Sequence, residues 1–431
     1  MNWKKLILTG MAGSIGLSTP GFAQDDSVLL RPVVPDDFDR GRNESVTERA
    51  RPDYDPIGIN TGSFVLRPRV ELGLGYDSNI YLMKENETDA AYAVLSPSIQ
   101  ASSAWSRHAL NLTASSNLRR YLGESDRNET TWNLGALGRV DVNNAFSLTG
   151  EAQFAKLAEN TLSGAIDSQL AAFSRYRRDF YGLRGEYRSG QFRSFVSADR
   201  TSFRFSNMTL SDGTGIDQGD RDRDVTRAVG QVEYAFTPSL SIYGQGTYDW
   251  TDYDRALLLS GQDNRDSEAF RLIGGFNFDL AGLLRGTLGA GYIRRNFDSP
   301  LYNTVSGLSV EARVEMFPSE LTTVTLQARR ALEDSNINQT TVFFSNSFSA
   351  RVDHELLRNL ILNARSEVEY LDYVGSRRHN WLYRASTGAR YLVDNRFSLG
   401  LSAQYTSRTT QAGFSSGFQD FRGQLSLIVQ K

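Results

Sequence analysis

FVLRPRVELGLGYDSNIY, residues 64–81, is the stretch whose reading decides the fold. Leu66, Val70, Leu72, Leu74 and Tyr76 fall on one side of an extended chain, and Arg67, Arg69, Glu71, Gly73 and Gly75 fall on the other. This period of two marks a strand with one apolar face. The chain ends the same way, with Phe421, Leu425, Leu427 and Val429 alternating with Arg422, Gln424, Ser426 and Gln430. The two stretches are expected to pair and close a barrel.

Between them the chain repeats the pattern in segments split by two kinds of connection. Short, turn-like ones lie at 106–107, 143–144, 189–190, 237–239, 317–319, 357–359 and 394–395. Longer ones, rich in Asp, Asn, Gly and Thr, lie at 78–90, 123–128, 158–169, 206–221, 256–265, 298–304, 334–339, 375–379 and 410–417. Alternating loop length is how an outer-membrane barrel reads, with tight periplasmic turns and longer extracellular loops. The fold expected is therefore all-β, a transmembrane antiparallel up-and-down β-barrel of about 18 strands over residues 63–431. A soluble sandwich or propeller would also alternate, but its inward face would be the apolar one and its connections need not alternate in length.

The faces are clearest late in the chain. Leu308, Val310, Ala312, Val314 and Met316 oppose Ser309, Glu311, Arg313 and Glu315, and Phe397, Leu399, Leu401, Ala403 and Tyr405 oppose Ser398, Gly400, Ser402 and Gln404. Residues 192–200 cannot be assigned to a face. Trp and Tyr gather where lipid meets water, and Trp105, Trp132, Trp250 and Trp381 all fall at strand ends, as an aromatic girdle would.

Composition is consistent with an exported chain. Lys4 and Lys5, an apolar run and small Gly21 and Ala23 read as a secretory signal peptide over residues 1–23, cut near Ala23. No cysteine occurs, which excludes disulfides. The mild acidic excess, 50 acidic against 47 basic residues, points away from nucleic acid. Residues 24–62 carry Pro32, Pro35, Pro52 and Pro56 among charges without periodicity, and read as a disordered periplasmic extension. The alternative is that they fold back as a plug or dock a periplasmic partner.

Charged groups recur on the polar face: Arg69 with Glu71, Arg139 with Asp141, Arg184 with Glu186 and Arg188, Glu311 with Arg313 and Glu315, Arg365 with Glu367 and Glu369, and Arg390. An Arg or Lys facing lipid at mid-depth costs about 2–4 kcal/mol, so these are expected to line a water-filled pore. They can serve as an ion-pair lattice stiffening the wall, as a mixed-charge surface contacting a polar solute, or as both. The loop SDGTGIDQGDRDRD, residues 211–224, spaces Asp220, Asp222 and Asp224 by two, yet lacks the Gly and distal Glu of an EF-hand and reads as a solvated loop. His108, His354 and His379 stand in no nucleophile motif. Gly286, Gly289 and Gly291 sit within a strand pattern, where they ease packing or bending of the wall. No catalytic, metal or cofactor residue is expected.

The leader, the signal-like start, the GYDSNIY run at residues 75–81 and the hairpin series together resemble the Putative beta-barrel porin 2 family, with Tyr76-Asp77-Ser78-Asn79 as the motif-like core. The resemblance implies an outer-membrane protein of a Gram-negative bacterium, of a kind often associated with exopolysaccharide or capsule export. It implies as partners outer-membrane lipid and lipopolysaccharide, the polysaccharide or polar solute, and a periplasmic polysaccharide-export protein. Lys431 stands where barrels usually end in an aromatic residue. The expected function is export of polysaccharide through the pore; the alternatives are a general diffusion porin for small polar solutes and a structural or adhesive barrel.

Overall fold

A computed structural model describes residues 44–159, 162, 174–209, 215–258, 261–280, 282–335, 340–411 and 417–431. The signal peptide, residues 24–43 and part of the long loops, including 211–214, lie outside these.

The alternating segments become eighteen antiparallel strands. In chain order they are β1 (Phe64–Asp77), β2 (Ala90–Ser103), β3 (Ala109–Tyr121), β4 (Glu129–Asp141), β5 (Phe146–Ala158) and β6 (Arg175–Ser189). Next come β7 (Phe192–Phe205), β8 (Arg223–Thr237), β9 (Leu240–Tyr253), β10 (Ser267–Leu280), β11 (Leu284–Phe297) and β12 (Val305–Ser319). The last six are β13 (Thr322–Asp334), β14 (Val342–Leu357), β15 (Leu360–Tyr373), β16 (His379–Leu392), β17 (Phe397–Gln411) and β18 (Phe418–Gln430). Each pairs with its neighbour in sequence, and β1 pairs with β18 from Arg69 opposite Gln430 to Asp77 opposite Arg422, which closes the ring. Closure leaves no sheet edge, the condition for strands in a bilayer, where each unpaired backbone group costs several kcal/mol.

Register carries the alternation around the whole ring. Leu72, Leu399 and Leu427 point outward and are exposed, while Glu71, Glu311 and Glu315 point inward and are buried. The apolar face therefore looks away from the bore. One short turn went without a sequence marker: between Leu280 and Leu284 the chain is apolar rather than turn-like, and it reverses with Gly282 at φ +77° and the Leu283 N–H donating to the Leu280 carbonyl (3.0 Å).

Two features obstruct the mouth on the long-loop side. The ladder between β12 and β13 ends at Val310 opposite Arg330, although β12 stays paired with β11 as far as Val305. Freed from β12, the end of β13 leans over the bore, where Asp334 meets the inward Arg295 of β11 and Arg223 of β8 (3.6 Å). Leu162, on the β5–β6 connection, packs against Leu82, Leu382 and Phe418 on the other side of the ring.

Part of the extension over residues 24–62 falls among the described residues. Residues 44–56 form two tight turns inside the ring at the short-turn mouth, with Val46 fully buried against Ile361 and Leu392 and beside Tyr54. Register places Ile361 and Leu392 on the inner wall.

Candidate functional site

The candidate site is the bore, whose wall is built from cross-strand pairs. Directly opposite residues on neighbouring strands put side chains within reach of each other. Arg285 on β11 faces Glu315 on β12 (2.6 Å), Glu311 on β12 faces Arg329 on β13 (3.4 Å), Asp199 on β7 faces Arg227 on β8 (3.0 Å), and Glu367 on β15 faces Arg384 on β16.

The charged residues singled out from sequence fall on the inward face of their strands. Arg69 pairs with Glu71 (3.1 Å), Arg139 with Asp141 (3.0 Å) and Arg365 with Glu367 (2.7 Å). Glu186 gathers Arg184 (3.1 Å), Arg188 (2.7 Å) and Arg193 (3.2 Å). Arg313 pairs with Glu315, and Glu369 meets Arg384 (3.4 Å). Glu311 also takes Arg271 from β10 (3.2 Å). Arg390 differs: it is buried and has no carboxylate partner among the described residues, and its guanidinium reaches only Ser398 Oγ (3.4 Å).

Arg271, Arg285, Arg329, Arg384, Arg227 and Asp199 were not among the residues chosen from sequence. Spacing by two exposes pairs within one strand, but their partners stand on the next strand and become visible only once register is known. Phe195 was another omission. It faces the bore beneath Arg184, whose guanidinium lies 3.7 Å from the ring centroid, while Phe192 three residues earlier faces out, so the stretch shows no consistent face.

Outside the strands, Tyr81 donates to Glu124 (2.7 Å), and burial together with that carboxylate pushes its phenol up to about 12. Of the four tryptophans expected to form the girdle, Trp132, Trp250 and Trp381 project outward at the long-loop end of their strands, and Trp105 lies in the β2–β3 turn against Phe64 (5.7 Å between ring centroids).

Residues 211–214 of the aspartate-rich loop lie outside the described residues, and the aspartates at 220, 222 and 224 are engaged by protein. Asp220 accepts the Leu258 N–H (3.2 Å), Asp222 the Phe205 N–H (2.6 Å), and Asp224 pairs with Arg200 (2.7 Å) and Arg204 (3.2 Å). The histidines are dispersed, with His108 on Asp141 N–H, His354 beside Thr322 and His379 beside Asp372.

The motif at the end of β1 is a clasp. Asp77 holds Arg422 of β18 (2.9 Å), and the Ser78 N–H donates to the Phe421 carbonyl (2.9 Å). The Asn79 amide donates to the carbonyls of Met83 (2.7 Å) and Gln419 (2.8 Å), so one side chain ties the first long loop to the last strand. Residues 51–431 match the family Putative beta-barrel porin 2. The chain belongs to that family.

Among solved structures, this beta-barrel porin 2 member is similar to the outer membrane protein opdK of Pseudomonas aeruginosa, at 13% identity over 85% of this chain and 99% of that one, with a TM-score of 0.44. It is also similar to OccAB4 of Acinetobacter baumannii, at 11% identity over 85% and 98%, with a TM-score of 0.46. A third is a mutant ferric enterobactin receptor, PfeA, of Pseudomonas aeruginosa, at 9% identity over 84% and 80%, with a TM-score of 0.44. No curated protein matches. The porin is an outer-membrane β-barrel of Gram-negative type.

Proposed function

We propose that this porin passes small polar solutes across the outer membrane. The carrying observation is the packing of the bore: Glu311, Glu315 and Glu369 expose only 5%, 4% and 4% of their surface although each faces the interior. A wall of paired charges this closely set suits molecules that a few side chains can hydrate in turn, because each paired group can exchange its partner for the solute. A polymer would need a wide continuous passage.

Export of exopolysaccharide, the reading expected from the resemblance, finds no support in the family match or in the structural likenesses. Its periplasmic partner is likewise without support.

The test is swelling of proteoliposomes in sugars of increasing size, run with the chain lacking its leader and with the same chain lacking residues 44–56. Swelling in monosaccharides that fades for oligosaccharides is expected from at least the shorter chain. Folded, inserted barrels of both chains that exclude every solute would overturn the proposal. A deletion strain that loses its surface polysaccharide while small-solute uptake is unchanged would favour export instead.

A further inference from the structure

We infer that residues 44–56 are a built-in cap that holds the short-turn mouth shut and must swing away before solute passes; this rests on the channel reading above. The cap is reached from β1 through residues 57–63, and its farthest ion pair is with Arg285 on β11. Counted around the closed ring from β1 through β18, β11 is eight strands away out of eighteen, which is nearly diametric. The strap therefore crosses the opening rather than lining its rim.

Every anchor it uses is an inward-facing group at the short-turn end or the turn itself. The Val46 N–H donates to Thr323 Oγ1 (2.9 Å). Arg51, 2% exposed, donates to Glu355 (2.7 Å) and to the Val46 carbonyl (2.8 Å), and Arg49 reaches both Glu355 (3.5 Å) and the Glu320 carbonyl. Glu48 pairs with Arg285 (3.0 Å).

The cap is also folded in itself, which lets it move as one piece. The Glu48 carboxylate accepts the Ser45 N–H (3.2 Å), the Asp55 carboxylate accepts the Arg51 N–H (2.5 Å), and the Tyr54 N–H donates to the Arg51 carbonyl (2.8 Å). Its link folds back on β1, with Ile59 opposite Leu66 and Asn60 opposite Val65 about a turn at Gly62, and leaves for the cap at Gly58, in the left-handed region at φ +78°, where a backbone can turn about a residue without a side chain. Attachment is thus modest: a few ion pairs, two hydrogen bonds and a small apolar contact. A tether at the rim keeps the released cap at high effective concentration, so docking is reversible.

The chain has no cysteine, so a disulfide placed between cap and wall would be the sole one. Single-channel current in planar bilayers is measured for the chain without its leader, for the same chain lacking residues 44–56, for Glu355→Gln, and for Val46→Cys with Thr323→Cys. Removal of the cap is expected to raise the mean current at least several-fold, and Glu355→Gln to raise it by a smaller factor. The oxidised double-cysteine barrel should stay closed and recover the parent current on reduction. Equal currents with and without the cap, or with the disulfide formed and reduced, would overturn the cap. Absence of current from every chain, the capless one included, would overturn the channel reading along with it.

Discussion

At the residue scale, Asn79 is the position where most depends on one side chain. It is fully buried, its Oδ1 accepts the Met83 N–H (2.9 Å), and its backbone N–H donates to Asp77 Oδ1 (3.1 Å). Truncation would leave the Met83 and Gln419 carbonyls without this donor, and each hydrogen bond so lost is worth about 0.5–1.5 kcal/mol net. Asn79→Ala is therefore expected to lower the temperature at which the folded band disappears on a heat-modifiability gel. An unchanged transition would show that the clasp contributes little. The sequence disclosed the motif but not its use, because the β18 residues it holds, Gln419, Phe421 and Arg422, lie more than 300 residues away. The same limit applies to Arg285: nothing local marks it as the partner of Glu315, while Arg69 and Glu71, two apart on one strand, were legible at once.

At the scale of elements, β9 to β11 show how glycine shapes the inner wall. A Cβ on Gly289 would lie 2.1 Å from Tyr243 Oη, and one on Gly275 would lie 2.7 Å from the same atom, so the tyrosine lies across two residues that leave it room. Overfilling such a site costs about 1–3 kcal/mol. Gly289→Val should destabilise the barrel by that order in urea unfolding, and a companion Tyr243→Ala should recover much of it if the clash is the cause. The sequence places Gly289, with Gly286 and Gly291, inside a strand where they ease packing or bending of the wall, which is the part periodicity can supply, and it does not single out Gly275.

The cap carries no mark of its docked shape in its own sequence, for an equally physical reason. It has no repeat, and its shape is imposed by Thr323, Glu355 and Arg285, which no pattern in residues 44–56 can announce. Its electrostatics give a pH response. Burial works to raise the Glu48 carboxyl, but Arg285 and the Ser45 N–H outweigh it and hold the group below its usual 4.5. Docking thus favours the ionised form, so its contribution is complete above the free value and is lost as pH falls through the lower docked value. With Glu48 partly exposed, solvent screening limits that contribution to below about 1 kcal/mol. Mean current should rise modestly as pH drops below 4.5 in the parent and respond less in Glu48→Gln. Glu315, which shares Arg285, and Glu355 also face the cap, so a residual response in the variant belongs to them.

For the whole molecule, the outward ring of Leu, Val and aromatic residues and the inward lattice of Arg with Asp and Glu follow from one alternation, legible from Val310 and Glu311 onward. Its hand relative to the cell rests on loop length. Intact cells treated with protease should be cut in long loops such as 206–221 and 256–265, and spared at 189–190 and 357–359. Cleavage confined to the short turns would reverse the orientation and place the cap outside.

The pairing of Asp77 with Arg422 has a consequence for biogenesis. These residues leave the ribosome at opposite ends of translation, and until the last is made, β1 has a bare flank with no mate. Contacts so remote in sequence form late and slowly, and an open flank invites association with other chains. The protein must therefore be kept apart from its neighbours until complete, and a chain that stops short of Phe418 has no halfway product that a membrane could accept.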